Sequence, residues 1–234
     1  MKVFFMQDIY LSPHYDDIAF SLSSFIKPNS LLIDVFTISN YIENQNYNSK
    51  NISVSNIREN EEKSFTSFNN LNFIKLDFHD RGMQGNPFSF YYNVPSNDNL
   101  EKMLMYKIKS LAKINKKFTI YCPLGVGKHY NHLQIFNIIQ KNYEELLKNF
   151  EIKFYAESPY LSYKNNLENR KRNLKQWFSE HNIKEYKKEL NSAQIEQKIK
   201  NLMCYKSQFI DLTENIILSK LADEKSKIYE IIYY

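Results

Sequence analysis

The sequence Ser12-Pro13-His14-Tyr15-Asp16-Asp17, near the N-terminus, is the most informative part of the chain. It follows an apolar run that predicts a β-strand over residues 4–11. A histidine and two carboxylates at a strand end contribute little to a core, whereas imidazole and carboxylate are the ligands of hydrolytic zinc sites. The stretch therefore predicts a strand whose carboxyl end carries metal chemistry.

A second histidine cluster has the same setting. His129-Tyr130-Asn131-His132 follows another apolar run that ends in a proline loop. The chain has only four glycines, and they lie in two loops, 80–85 and 123–129. Both loops follow predicted strands, and a sequence this poor in glycine keeps it where the backbone needs unusual angles or close approach. These loops are therefore expected on the same edge of a sheet as His14.

Short apolar runs alternate with amphipathic segments along the first two thirds of the chain. The runs predict strands at residues 4–11, 31–39, 72–78, 118–122 and 152–156, and the segments between them predict helices at 16–25, 53–68, 99–114 and 132–150. This alternation predicts an α/β fold with a mostly parallel sheet, which places ligand sites at the carboxyl ends of its strands. The last third predicts helices at 193–209 and 217–232, after a polar segment that is helical or irregular.

Composition limits the classes of protein. A length of 234 residues suits one domain, 1–234, in which 164–234 forms a mostly helical lid or edge. Two cysteines, neither in a CxxC pair, indicate a reduced and therefore cytoplasmic location. The N-terminus lacks the features of a signal peptide, and no run reaches the ~18 apolar residues of a membrane span.

The positive charge is local. Residues 164–190 hold eight Lys or Arg and four Asp or Glu, within a chain of net charge +5. A dispersed basic patch would suggest nucleic acid, but one local segment does not. Two interpretations are open: a solvated helix, or a flap beside an anionic group of the substrate, in which case Lys171 and Arg172 would bind its phosphate.

Taken together, His14, Asp17 and His132 are candidate ligands of one divalent ion, with a position left for water. Asp16 is then the candidate general base, and His129 the candidate group for the oxyanion or the leaving amine. The alternative for the carboxylates is a helix N-cap. Three other residues are given little weight: His79, the surface-type His181, and Cys122, which is predicted to be packed in the core.

These residues carry a family likeness. The chain resembles the PIG-L/LmbE-like zinc-dependent N-deacetylases, whose signatures are a strand followed by His-Pro-Asp-Asp-Glu, and a glycine-rich loop followed by His-Pro-Asp-His. Four further elements resemble the family or one of its branches: Arg58 with Glu61, the loop 76–80, Glu157-Ser158-Pro159-Tyr160, and Lys198 with Tyr205-Lys206-Ser207-Gln208. The likeness extends to about residue 208.

The resemblance implies a Rossmann-like three-layer fold and removal of an N-acetyl group from an N-acetylglucosamine-type amino sugar or glycoconjugate. It implies zinc as the ion, with Fe²⁺ or Co²⁺ as alternatives. It assigns His14, Asp17 and His132 to the metal and Asp16 and His129 to catalysis. Its expected substrate-binding residues are Arg58, which would contact the sugar or support the site, Asp80 and Tyr160.

Both motifs depart from the family pattern. Tyr15 and Tyr130 stand in place of proline, and Ile18 and Asn131 in place of acidic residues. None of these positions is a ligand in the family, but the lost carboxylate at 131 bears on how the neighbouring histidines are oriented. Two alternatives are therefore kept: an amide hydrolase acting on a non-sugar natural product, and an inactive metal- or carbohydrate-binding protein of this fold.

Overall fold

The computed structural model describes residues 8–44, 46, 53–112, 118–163, 165–210, 213, 221 and 227–234. Within them the strands are β1 (Asp8–Ser12), β2 (Leu31–Asp34), β3 (Asn72–Lys75), β4 (Phe118–Pro123), β5 (Phe150–Tyr155), β6 (Glu185–Glu189) and β7 (Tyr229–Tyr233). The α-helices are α1 (Asp17–Ser21), α2 (Val54–Phe68), α3 (Asp98–Leu111), α4 (Tyr130–Lys141), α5 (Tyr143–Leu147), α6 (Ser158–Leu161), α7 (Asn166–Glu180) and α8 (Ser192–Leu202).

The strands form one mixed sheet in the order β3-β2-β1-β4-β5-β7-β6. The first five are parallel to their neighbours, and β7 is antiparallel to both β5 and β6. In sequence order, β2 and β3 are added on one side of β1, and β4 then pairs with the other side of β1. The carboxyl ends of β1, β4 and β5 therefore lie side by side.

Two layers of helices pack against the apolar side chains on the two faces of the sheet. On one face Ile9, Leu11 and Ile120 pack with apolar residues of α3, α4, α5 and α7. On the other face Tyr10 and Tyr121 pack with residues of α1, α2 and α8. Successive residues of β1 thus point into opposite layers, as the two-residue period of a strand requires. The predicted three-layer α/β fold with a mostly parallel sheet is confirmed.

Polar residues begin three of the longer helices. The side chain of Ser53 accepts a hydrogen bond from the amide of Asn56 at the start of α2, and Asn97 accepts one from the amide of Leu100 at the start of α3. At α8, Asn191 forms a reciprocal capping box with the residue three positions on. These caps satisfy amide groups that a helix start leaves without partners.

The five predicted strands all exist, and most predicted helices are present with shifted ends. The segment 132–150 is divided into α4 and α5, and 193–209 into α8 and a short 3₁₀ helix, Lys206–Gln208. The C-terminal prediction was wrong in part: residues 229–232, expected to close a helix over 217–232, lie in β7. Most of that predicted helix lies outside the described residues. That 1–234 is a single domain stays a prediction.

The polar segment 164–190 also differs from expectation, because it supplies a strand, β6, as well as α7. Among the helices in the described residues, none has both the length and the apolar character that are needed to span a membrane.

A buried ion pair fastens β7 to α8. The ammonium of Lys198 lies 2.7 Å from the carboxylate of Glu230, and both residues are 0% exposed. Lys198 also donates to the carbonyl of Phe20, and the other oxygen of Glu230 accepts from the amide and the hydroxyl of Ser24. Each charge is therefore paired and hydrogen-bonded, as buried charges must be.

We expect Lys198→Met to lower the free energy of unfolding by about 3–5 kcal/mol, because it leaves Glu230 buried without a counter-charge. Urea unfolding followed by circular dichroism measures this. Adding Glu230→Gln removes the orphaned charge and should restore much of the loss. Lys200→Met, on the same helix at an exposed pair with Glu196, is the control and should leave the free energy of unfolding close to that of the wild type. Equal losses in the two lysine variants would contradict this account.

Candidate metal centre

Three neighbouring strand ends supply the polar side chains of the site. His14 follows β1 and Asp17 begins α1, His129 and His132 stand at the start of α4 after β4, and Glu157 follows β5. All five residues are at most 8% exposed. The sheet order alone brings them together, because β4 lies between β1 and β5.

Three ligand-type atoms of this group form a nearly equilateral triangle. Nδ1 of His14 lies 3.3 Å from Oδ2 of Asp17 and 3.3 Å from Nε2 of His132. Nε2 of His132 lies 3.4 Å from the same carboxylate oxygen. Ligand atoms held tetrahedrally at about 2.0–2.1 Å from one ion lie about 3.3–3.4 Å apart. The three side chains therefore fit a tetrahedral zinc-type ion with a fourth position left over.

His129 lies against the same group without belonging to the triangle. A ring nitrogen of His129 comes within 4.8 Å of ring nitrogens of His14 and His132, so three imidazoles could also hold an ion. The triangle that contains Asp17 is tighter and brings a negative charge, which a divalent cation favours. We therefore regard Asp17, rather than His129, as the third ligand-type group.

The carboxylate of Glu157 orients His132. Its Oε1 lies 3.0 Å from Nδ1 of His132, on the far side of the ring from the triangle. The same carboxylate accepts hydrogen bonds from the amides of Gly125 and Val126, at 2.7 and 3.0 Å. A carboxylate on one imidazole nitrogen places the lone pair on the other, which is the arrangement around metal-ligating histidines.

Asp80 and Asn131 lie on the corresponding side of His14. Nε2 of His14 is 3.5 Å from Oδ1 of Asp80 and 2.8 Å from the amide of Asn131, which also donates to Asp80. Burial alone would lower the pKa of His14, but Asp17 and Asp80 raise it to about 9. The loop after β3 thus places a carboxylate, Asp80, beside His14, and Asn131 contacts both.

Asp16 lies beside the triangle in an unusual backbone conformation. Its φ is 98°, in the left-handed region that non-glycine residues rarely adopt. Its carboxylate accepts from the guanidinium of Arg58 at 3.0 Å, and Arg58 also donates to the carbonyl of Tyr15 at 2.6 Å. Burial raises the pKa of Asp16 to about 7, against the lowering effect of Arg58. Asp16 occupies the N-cap position of α1 but makes no capping bond, so the capping interpretation was wrong for this residue.

Asp17 differs from its neighbour in the direction in which its pKa is shifted. Burial would raise its pKa, but His132 and His14 lower it to about 2. Oδ2 of Asp17 also accepts from the backbone amide of His14 at 2.8 Å. The adjacent carboxylates therefore have opposite environments, one fixed as an anion within the triangle and the other held by an arginine.

Aromatic rings cover the two histidines of α4. Phe88 packs edge-on against His129 at a centroid distance of 5.4 Å, Tyr160 packs against His132 at 5.7 Å, and the two aromatic rings are 6.1 Å apart. A Cβ at position 127 would overlap the ring of Tyr160, which explains the glycine there. Nδ1 of His129 is buried without a hydrogen-bond partner among the described residues, and burial lowers the pKa of this imidazole.

The loop that presents these histidines is braced from α7. Nε of Arg170 donates to the carbonyl of Leu124 at 2.7 Å. The next two residues, Gly125 and Val126, donate their amides to Glu157. Gly125 has a φ of 78°, and a Cβ there would meet Leu133 at 2.6 Å, so both conformation and space require glycine. Arg170 is 1% exposed, and its guanidinium lies over the rings of Phe136 and Tyr92.

The structure thus brings together His14, Asp16, Asp17, His129 and His132, and it changes the interpretation of other predicted residues. Arg58, expected to contact the sugar or support the site, is buried and directed at Asp16, and Asp80, expected to bind substrate, is buried and directed at His14. Of the basic segment, Lys171 pairs with Glu168 and Glu185, and Arg170 is the residue that reaches the site.

Three residues that were given little weight as site residues lie outside the triangle. His79 is exposed and makes no contact with the triangle, His181 packs on Tyr143 and Trp177, and Cys122 is a buried core residue. The orienting role of Glu157 and the bracing role of Arg170 were missed. Glu157 stood within a quoted element, but only the pairing of β4 with β5 shows what it reaches.

Comparison with known proteins adds fold relatives. No protein-family model and no curated protein matches the chain significantly. Among solved structures, the zinc inhibited form of the teicoplanin deacetylase Orf2 superposes with a TM-score of 0.65 at 15% identity, over 97% of each chain. The N,N'-diacetylchitobiose deacetylase from Pyrococcus horikoshii gives 0.54 at 13% identity, over 88% of this chain and 71% of the other. The chain has the fold of these deacetylases.

The same fold also carries a different reaction. GalB, the 4-carboxy-2-hydroxymuconate hydratase from Pseudomonas putida KT2440, superposes with a TM-score of 0.58 at 10% identity, over 97% of this chain and 96% of the other. Since fold does not fix function, the reaction has to be argued from the residues of the site.

We expect Glu157→Gln to weaken zinc binding about 10–100-fold, because a neutral amide oxygen orients His132 less strongly than a carboxylate. Competition with a chromophoric chelator measures the affinity. Glu168→Gln, at an exposed position of α7, is the control and should bind zinc as the wild type does. An unchanged affinity in a folded Glu157 variant would show that Glu157 serves only the loop.

Proposed function

We propose that this protein is a metal-dependent hydrolase that removes the N-acetyl group of an amino sugar of the N-acetylglucosamine type. The observation that carries the proposal is the triangle of His14, Asp17 and His132, with an arginine-held carboxylate, Asp16, directly beside it. Water activation on a metal needs this set of groups: ligands that leave a position open and a separate base.

We propose His14, Asp17 and His132 as the metal ligands. Two imidazoles and one carboxylate suit zinc, and Fe²⁺ or Co²⁺ accept the same donors. When bound, such an ion supplies Lewis-acid polarisation of an amide carbonyl and acidifies water. Glu157 contacts Nδ1 of His132, and the amide of Asn131 with Asp80 behind it contacts Nε2 of His14, so the opposite nitrogen of each ring faces the triangle.

The residues around the triangle divide the proton transfers between them. Asp16 accepts the proton of the attacking water, and Arg58 fixes its carboxylate in place. We propose that His129, which packs against the rings of His14 and His132, hydrogen-bonds the developing oxyanion or protonates the departing amine. Its Nδ1 has no hydrogen-bond partner among the described residues, so no described protein group competes for that nitrogen.

The sugar part of the proposal is supported by the fold relatives. Their names describe deacetylases of a glycopeptide antibiotic and of diacetylchitobiose, and both structures superpose on most of this chain. Small-molecule amino sugars and glycoconjugates are therefore the proposed substrates. The cytoplasmic location inferred from the two unpaired cysteines stays a prediction.

Three other functions remain as alternatives: an amide hydrolase for a non-sugar natural product, an inactive binding protein, and a hydratase, as in GalB. Release of acetate separates the first two from the proposal, since a non-sugar hydrolase leaves N-acetyl sugars intact and an inactive protein binds metal without turnover. A hydratase adds water across a carbon–carbon double bond and releases no carboxylic acid.

We expect purified protein to contain about one zinc per chain and to release acetate from at least one member of a panel of N-acetyl amino sugars. Asp16→Asn should lower kcat about 10²–10⁴-fold while it keeps the metal, because it removes a general base but no ligand. Metal analysis and an enzymatic acetate assay give both readouts. Full activity of the Asp16 variant would exclude Asp16 as the base, and protein that binds no metal would remove the basis of the proposal.

We further expect Phe88→Ala to widen the range of acyl groups, because the paired rings of Phe88 and Tyr160 leave little room above the histidines. The ratio of kcat/KM for N-hexanoyl to N-acetyl substrates should rise about tenfold or more, since each methylene accommodated contributes about 0.8 kcal/mol. Phe90→Ala is the matched control, on the same loop but 85% exposed. A ratio that Phe88→Ala leaves unchanged would show that the acyl group lies elsewhere.

A further inference from the structure

A long groove runs along α4, outside the metal centre. Two adjoining cavities of about 980 and 700 Å³ share Ser96, Asn97 and Gln134. One continues towards Asn137 and Trp177, and the other ends at Asn131, whose amide contacts His14. We call this feature the amide groove. Each half is within or close to the size range of ordinary ligand sites, and together they suit an elongated ligand.

Uncharged hydrogen-bonding groups line the larger half. The side-chain amides of Asn93, Asn137 and Gln140 make no hydrogen bond to any described residue, although all three border the cavity. Each amide offers two donor hydrogens and an acceptor oxygen. The indole N–H of Trp177, half-buried in the wall, is likewise without a partner among the described residues. This set of groups matches a ligand that both donates and accepts along its length.

The exposed charges in the groove occur in both signs. Glu101 pairs with Lys141 at 2.9 Å, and it also accepts from Asn142. In the smaller half, Arg81 and Asp98 have opposite signs. Arg170 is left over as one further positive charge, but it is 1% exposed, and its guanidinium donates to the carbonyl of Leu124 and to Asn173. The exposed wall of the groove therefore offers no surplus of one sign to an ionic ligand.

We propose that the amide groove binds a neutral oligosaccharide. Hydroxyl groups donate and accept, as side-chain amides do, and an uncharged chain needs no counter-charge from the wall. One end of the bound chain would lie at Asn131, which separates the groove from His14, and the other end would lie at Trp177. This binding does not depend on hydrolysis, so it can be tested in protein that has no activity.

The experiment uses a feature of the sequence: Trp177 is the only tryptophan of the chain, so its fluorescence reports on the groove alone. The protein is titrated with N-acetylchitotetraose, after metal removal by a chelator so that no turnover occurs. We expect a saturable change in the emission of Trp177, with at least tenfold weaker binding of the monosaccharide N-acetylglucosamine, which fills only part of the groove.

Variants locate the binding. Asn137→Ala with Gln140→Ala should weaken tetrasaccharide binding tenfold or more, and thermal unfolding checks that the fold is kept. Asn56→Ala with Asn60→Ala, exposed amides on α2, is the matched control and should bind as the wild type does. No saturable change, equal binding by the two double variants, or tighter binding of a sulfated chain than of the neutral one would overturn the proposal. None of these outcomes bears on acetate release, which tests the proposed function separately.

Discussion

The parallel pairing of β1 with β4 is the contact on which the candidate site depends. Ile9 pairs with Ile120 and Tyr10 with Tyr121, across more than a hundred residues of chain, whose described part includes β2, β3 and three α-helices. Without this pairing, the histidine after β1 and the histidines after β4 would be unconnected features of two loops. Such distant pairings close slowly, because the chain loses loop entropy before the contact forms. The apolar residues on both faces of these strands offset that loss.

Several charged side chains are buried around the carboxyl ends of these strands, where a core built for stability alone would be apolar. Asp17, Glu157 and Arg58 each have a partner of opposite charge or an imidazole within hydrogen-bonding distance. Asp34 is fully buried, its carboxylate makes no hydrogen bond within the described part of the chain, and burial raises its pKa well above the usual range. Buried polar groups of this kind tend to fix geometry at the expense of stability, and here they surround the proposed ligands.

The sequence predicted those parts of the structure that local pattern determines. Apolar runs identified five strands, and the residue types at two strand ends identified the proposed ligands. The two missed strands show the limit. Glu185–Glu189 reads EYKKE and is largely exposed, so no apolar period reveals it, and Tyr229–Tyr233 becomes a strand because β5 and β6 offer it edges. The sequence also does not show where a side chain points. It placed Arg58 and Asp80 near the site, but only the packing shows that they face other protein groups.

The backbone of Asp16 has a consequence for how this sequence can change. A left-handed φ favours glycine at that position, and a non-glycine residue there stores strain of order 1–3 kcal/mol. Selection for a more stable chain would therefore push position 16 towards glycine and away from the carboxylate beside the triangle. Stability and the proposed chemistry make opposite demands on this one residue. A protein of this fold with glycine at the corresponding position would have an unstrained turn there but would lack the proposed base.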